Sequence, residues 1–97
     1  MNMKAMMEQA RRLQKDLEKT TNEIEQTTFK YENENVLVEA LGNNKITKIS
    51  IKNDDVLEDK EILEDVLTVA INDVLNQIKD TKDSKLGKFT NGLGGLF

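Results

Sequence analysis

Near the start of the chain Lys4, Arg11, Arg12, Lys15 and Lys19 recur at spacings of four and seven residues. On a helix such spacings set side chains along one side, where a row of ammonium and guanidinium groups can straddle a phosphate backbone. Twofold symmetry would double their number and align two rows on one duplex. A second reading is a solvated, salt-bridged face, in which Glu8 and Arg12, or Arg11 and Lys15 with nearby acids, keep a helix soluble. By periodicity and charge alone the solvated face is the stronger reading. No set of Asn or Gln stands out for reading bases, so duplex binding by this face would be directed at the backbone.

Other reactive residue types lead to no catalytic arrangement. Histidine, cysteine, proline and tryptophan are absent, which excludes imidazole bases, thiol nucleophiles, disulfides and Cys/His zinc sites. Asp54, Asp55, Glu58 and Asp59 lack the spacing and central glycine of a calcium loop, and helix capping accounts for them better. Gly92-Leu-Gly-Gly95 has no following helix and no Lys-Ser/Thr, unlike a phosphate loop. Ser50 and Ser84 have no histidine to activate them. The expectation is a protein without enzyme activity, cofactor, metal or small-molecule substrate.

Charge and length narrow the class further. The formal net charge of −4 argues mildly against a nucleic-acid partner when taken whole. Its distribution differs: the basic stretch from Lys4 to Lys19 contrasts with Asp54, Asp55, Glu58, Asp59, Glu61, Glu64 and Asp65, which face only Lys60. The chain thus has a basic arm and an acidic shoulder. At 97 residues it is one domain, of a size that buries roughly 60 to 70% of its unfolded surface. No apolar run approaches the roughly 18 residues of a membrane span, and the charged N-terminal stretch lacks a signal peptide's apolar core. No membrane partner and a cytoplasmic location are expected.

The elements that would position the cations follow from periodicity. Met3, Met6, Ala10, Leu13, Leu17, Thr20 and Ile24 alternate spacings of three and four, an a/d heptad seam that predicts a helix from about Asn2 to Gln26. The five cations then fall at b, c and f, opposite the seam. Period-two patterning follows in Thr28 to Glu32, with Phe29 and Tyr31 on one side, and in Val36 to Leu41. Gly42-Asn43-Asn44-Lys45 offers positive-φ residues for a hairpin into Ile46 to Ile51, where Ile49 and Ile51 alternate. Asp59 suits an N-cap, and the segment from Asp59 to Ile78 carries apolar residues on more than one helical stripe. One face can cover the sheet; the other needs a surface that so short a chain obtains from a second copy of itself. From Asp80 apolar periodicity fades and glycines accumulate, so residues 81–97 read as a flexible tail after a domain of residues 1–80. Leu86, Phe89, Leu93, Leu96 and Phe97 make that tail either a docking peptide or a frayed end.

Four segments in order carry a resemblance: Met3-Lys-Ala-Met-Met-Glu-Gln-Ala-Arg-Arg-Leu-Gln14; Val36-x-Val38 with Gly42 and Ile49-x-Ile51; Leu63-Glu-Asp-Val-Leu67 running to Ala70-Ile-Asn-Asp73; and Leu86-Gly-Lys-Phe-Thr-Asn-Gly-Leu-Gly-Gly-Leu-Phe97. Across nearly the whole chain they resemble the YbaB/EbfC family of bacterial nucleoid-associated proteins. The resemblance implies an α+β fold of helix, three-stranded antiparallel sheet and helix (αβββα), paired as a symmetric homodimer whose helical arms protrude and bind duplex DNA, in the nucleoid. It points to Lys4, Arg11, Arg12 and Lys15 as DNA contacts, with Lys79, Lys82, Lys85 and Lys88 as a weaker second set. Met3, Met6, Ala10, Leu13, Leu17 and Ile24 form the dimer or packing seam. Two departures stand out: the link Tyr31-Glu-Asn-Glu-Asn35 is shorter than the family's glycine-rich one, and the terminal region lacks a proline before its last Gly-Leu-Phe. A rival from another class is a protein-interaction adaptor that uses the heptad arm and apolar tail without nucleic acid. An RNA-binding reading ranks lower, since Phe29 and Tyr31 are the only strand aromatics.

Overall fold

Asn2 opens the first helix by accepting a hydrogen bond from the Lys4 amide on its side-chain oxygen at 2.9 Å, which satisfies one of the free donors of the first turn. The computed structural model describes residues 2–94, and side chains as far as Phe89. Helix α1 spans Met3–Glu25, followed by strands β1 (Thr28–Glu32), β2 (Val36–Leu41) and β3 (Ile46–Ile51). A 3-10 turn, Asp54–Glu58, then leads into helix α2, Lys60–Gly94. The molecule is elongated, 69 × 20 × 15 Å, with a radius of gyration of 19.4 Å against about 13 Å for a compact chain of this length.

The strands form one antiparallel sheet in the order β1-β2-β3, with the bounds expected from the period-two pattern. Phe29 pairs with Ala40 and Tyr31 with Val38, while Val38 pairs with Ile49 and Val36 with Ile51, so all of these share one face. A register irregularity between Glu39 and Ala40 brings Ile46 opposite Ala40 although Lys48 pairs with Glu39. The extra residue, Thr47, shifts Ile46 into phase with Ile49 and Ile51, which simple alternation would not do. Thr47 in turn donates its hydroxyl to the Glu39 carbonyl at 3.3 Å.

Helix α2 covers this face over β1 and β2. Val36, Val38, Ala40, Ala70, Val74 and Ile78 are completely buried, with Phe29, Tyr31, Ile46, Val66, Leu67, Ile71 and Leu75 packed around them. Burial of Val36, Val38, Val74 and Ile78 contributes about 1.5–3 kcal/mol for each side chain. Gln77 fastens the helix to the sheet edge, donating to the Lys30 carbonyl at 3.0 Å and to Asp73 Oδ1 at 2.7 Å.

The shorter link between β1 and β2 is closed by Asn33. Its side-chain oxygen accepts from the amides of Asn35 (2.8 Å) and Val36 (3.0 Å), an Asx turn that needs no glycine. At the other end of the sheet the role of Gly42 differs from the one expected. The positive φ of the β2–β3 turn, 68°, belongs to Asn44. Gly42 is needed because a Cβ there would lie 1.8 Å from the Ile24 carbonyl oxygen, where α1 ends against the turn.

The second helix also departs from expectation. It does not end near Ile78 but continues to Gly94, so the boundary at residue 80 falls inside α2. Beyond Ile78 Thr81, Lys82 and Leu86 are half-buried and Phe89 is buried, and α2 packs on α1. Phe89, assigned to the tail from sequence, is only 5% exposed. Leu93 has no described side chain, and Leu96 and Phe97 lie outside the described residues.

Candidate nucleic-acid interface

The packing of α2 along α1 decides which side of the first helix faces outward. Ala10, Leu13, Leu17 and Thr20 are half-buried and Ile24 is buried, whereas Met3 and Met6, the first two seam positions, are exposed. From Ala10 onward the expected seam is therefore occupied within one chain by the end of α2. At 100° per residue, Lys4, Arg11 and Lys15 lie within about 40° of one line along the helix, and Arg12 and Lys19 stand beside it. All five are exposed; Lys4, Arg11, Arg12 and Lys15 lie on the face turned from the seam, while Lys19 borders the groove between the helices. From Lys4 to Lys15 the row is about 16 Å long, roughly half a turn of B-form DNA.

Among the described residues no carboxylate lies within 4.0 Å of a cation of this row. Among the described residues the ion pairs are Lys52 with Glu32 and Lys60 with Glu64, and neither lies on α1. Glu8 and Arg12, one turn apart, form no contact within 4.0 Å, so the intrahelical salt bridging that would keep such a face merely soluble is missing there. The face is a row of free cations aimed at solvent, suited to a polyanion and not to a small molecule.

The second set of lysines is arranged differently. A spacing of three residues turns each about 60° from the last, so Lys79, Lys82, Lys85 and Lys88 wind around half the circumference of α2 and share no face. Lys82 is half-buried, and the Lys88 ammonium sits 5.0 Å from the centroid of the neighbouring Phe89 ring. A groove of about 440 Å³ between the helices is lined by Leu13, Asp16, Lys19, Thr20, Glu23, Lys88 and Phe89. Its two carboxylates make it a poor phosphate site.

The acidic shoulder stands at the opposite pole. Lys52 and Asn53 follow β3 and are held to Asn35 of the β1–β2 link by hydrogen bonds of 2.7 and 3.3 Å, so the 3-10 turn and the start of α2 lie at the end of the sheet farthest from Gly42 and α1. Asn53 caps the 3-10 turn through the Asp55 amide at 3.0 Å. Asp59 caps α2, accepting from Glu61 and Ile62 amides at 3.0 and 3.2 Å, as its position suggested. Among the described residues no group of three or more carboxylates is placed to hold a metal ion. Glu32 is held below its ordinary pKa first by the hydrogen bond from Lys52 and then by the charge of that ammonium.

A small sheet capped by a helix, with a helical arm that carries exposed cations along one side, defines an α+β protein. The chain belongs to the YbaB/EbfC DNA-binding family, whose model matches residues 1–93. Membership places it among DNA-binding proteins and not among enzymes. It is 45% identical over 96 residues to a nucleoid-associated protein of Lactococcus lactis subsp. lactis, covering 96% of this chain and 97% of that one. A nucleoid-associated protein of Ligilactobacillus salivarius is 33% identical over 99 residues, covering 99% and 95% respectively. The fold is also that of an uncharacterized protein from Helicobacter pylori, solved by crystallography, with a TM-score of 0.72 at 20% identity over 93% of this chain and 98% of the other.

Two features of the arm and its setting escaped the sequence. The contact of Gly42 with Ile24 depends on tertiary geometry, and the helicity of residues 81–94 depends on the partner seam of α1. Met7, off the a/d seam and 59% exposed beside Lys4 and Arg11, was legible from the heptad register.

Proposed function

We propose that the protein is a nucleoid-associated DNA-binding protein that grips duplex DNA mainly through its phosphates as a homodimer, with an architectural or regulatory role. The observation that carries this reading is the exposed, unpaired row of Lys4, Arg11, Arg12 and Lys15 opposite a packed seam. Exposed ammonium and guanidinium groups bind phosphates by releasing condensed counterions, independently of sequence. Lys79, Lys85 and Lys88 contribute less because they do not share a surface. The acidic shoulder at the other pole faces away from the duplex.

The second copy has a candidate surface on the body. Ile49 lies on the core face of the sheet by register yet is 48% exposed, because α2 covers β1 and β2 and leaves β3 open. Ile62 and Val69 of α2 are 49% and 58% exposed, and Leu57 of the 3-10 turn 55%. Large apolar side chains in this number on so small a body favour a protein partner, and a second identical chain supplies one with two arms. Nothing in the fold favours the adaptor reading over DNA.

The test is fluorescence anisotropy of a labelled duplex at several salt concentrations, with sedimentation velocity for the oligomeric state. Four contacts per arm and two arms give a log–log salt slope of roughly −7. The double reversal R11E/R12E is expected to abolish binding and leave the sedimentation unchanged. Salt-independent binding, or full affinity in the double variant, rules out the phosphate-directed arm.

A further inference from the structure

Met7 is largely exposed on α1. It stands at an e position, outside the seam of Met3, Met6 and Ala10, and is 59% exposed. Lys4 lies three residues before it and Arg11 four after, so Met7 sits on the helix surface between these two exposed cations. Met3, one turn earlier and 77% exposed, extends the apolar strip toward the end of the arm. An occupant of this strip must offer negative charge on both sides of a narrow apolar contact.

We propose that Met7, with Met3 beside it, contacts thymine methyl groups in the major groove of DNA, so that the arm senses A·T pairs as well as phosphates. The inference rests on the phosphate-directed reading above. A duplex supplies the required chemistry: phosphates along the rims, and the C5-methyl of thymine on the floor of a major groove about 12 Å wide, which admits one helix. With Lys4 and Arg11 on phosphates, the side chains between them point into the groove. The unbranched, polarisable thioether adapts its shape to whichever methyl it meets. A second protein copy fits less well, since an apolar contact that covered Met7 would also desolvate Lys4 and Arg11.

The experiment compares two labelled duplexes of one A·T-containing sequence, the second with deoxyuridine at every thymidine, which removes the methyl and nothing else. The full chain is expected to prefer the thymidine duplex by about two- to fourfold for each methyl it meets, with the same salt slope on both. Met7→Gln, which keeps length and helix propensity, is expected to bind both duplexes alike with that slope retained, and M3Q/M7Q likewise. Equal, salt-dependent affinity of the natural chain for the two duplexes overturns this proposal and leaves the phosphate reading standing. A thymidine preference that survives in M3Q/M7Q overturns it as well. Absence of binding to either duplex at low salt overturns both. A changed sedimentation coefficient in Met7→Gln, with the thymidine preference intact, assigns Met7 to a protein contact instead.

Discussion

The body and the arm of this molecule are held together in different ways. In the body, six side chains at zero exposure lie between the sheet and α2, and no polar or charged residue is buried among those described. In the arm, α1 and the end of α2 meet along one line, where only Ile24 and Phe89 are buried and the remaining seam residues are half-exposed. Two helices that share a single thin seam bury little area, and most of the stability of a helix in a protein comes from tertiary packing. The arm therefore borrows order from the body at two joints: the continuous backbone of α2 and the contact of α1 with Gly42. The body supplies stability, while the arm spends its surface on charge.

The largest effect is expected where the two regions join. In Gly42→Ala the new methyl meets the Ile24 carbonyl at 1.8 Å, a clash with backbone that no side-chain rotation relieves. Overpacking of this kind costs about 3 kcal/mol, which lowers the melting temperature by roughly 12 °C or more. Thermal melts followed by circular dichroism check it. A loss below about 1 kcal/mol means that α1 swings away freely and that the arm is only loosely joined to the body.

Phe89→Ala separates the regions from the arm side. Truncation of a buried phenylalanine costs about 3 kcal/mol in a core, but here the loss falls on a local opening and not on global unfolding. Amide exchange is expected to quicken over residues 13–20 and 82–89 and to stay unchanged over 36–40 and 70–78. Uniform acceleration in both regions shows instead that body and arm unfold as one unit.

The body was the more legible region because its pattern is local. Period-two apolar residues set all three strands, and Asp59 marked the start of α2. The sheet face taken by the helix was not legible, since Val36, Val38 and Ala40 alternate with Leu37 and Leu41; the pairing of Phe29 and Tyr31 with Ala40 and Val38 decides it. Ile46 was out of phase until the bulge at Thr47 realigned it. In the arm, the cations opposite the a/d seam were readable as a face, because heptad register is also local. The end of α2 was not, because Thr81, Lys82, Leu86 and Phe89 form a weak seam whose helicity depends on packing against α1, far away in the chain. Gly87 reinforced the impression of a tail, although it lies inside a helix.

Gly87 offers a smaller and opposite effect. A Cβ there meets nothing within 4 Å, so neither close packing nor a turn explains the glycine. Gly87→Ala is expected to stabilise the arm by about 0.5–1 kcal/mol, seen as slower amide exchange at residues 82–89 with little change in the body. Destabilisation indicates that the end of α2 needs a flexible backbone, as an arm that adjusts to its ligand would.

The smallest effect sharpens the contrast in pH response. No titratable residue is buried among those described, and on the surface of the body Lys52 Nζ and Glu32 Oε2, 2.9 Å apart, form a pair that links the end of β1 to the residue after β3. Folding lowers the Glu32 pKa from its ordinary value of 4.5, first through the hydrogen bond and then through the charge of Lys52. A carboxylate with a depressed folded pKa binds protons more readily in the unfolded chain, so its contribution is fully present above 4.5 and is lost as the pH falls through the lower folded value. Both groups are exposed, and salt screens them. Thermal melts from pH 6 downward are expected to fall slightly less steeply in Glu32→Gln than in the natural chain, with the difference vanishing in high salt. Identical slopes in the two proteins show that the pair contributes nothing to the stability of the body.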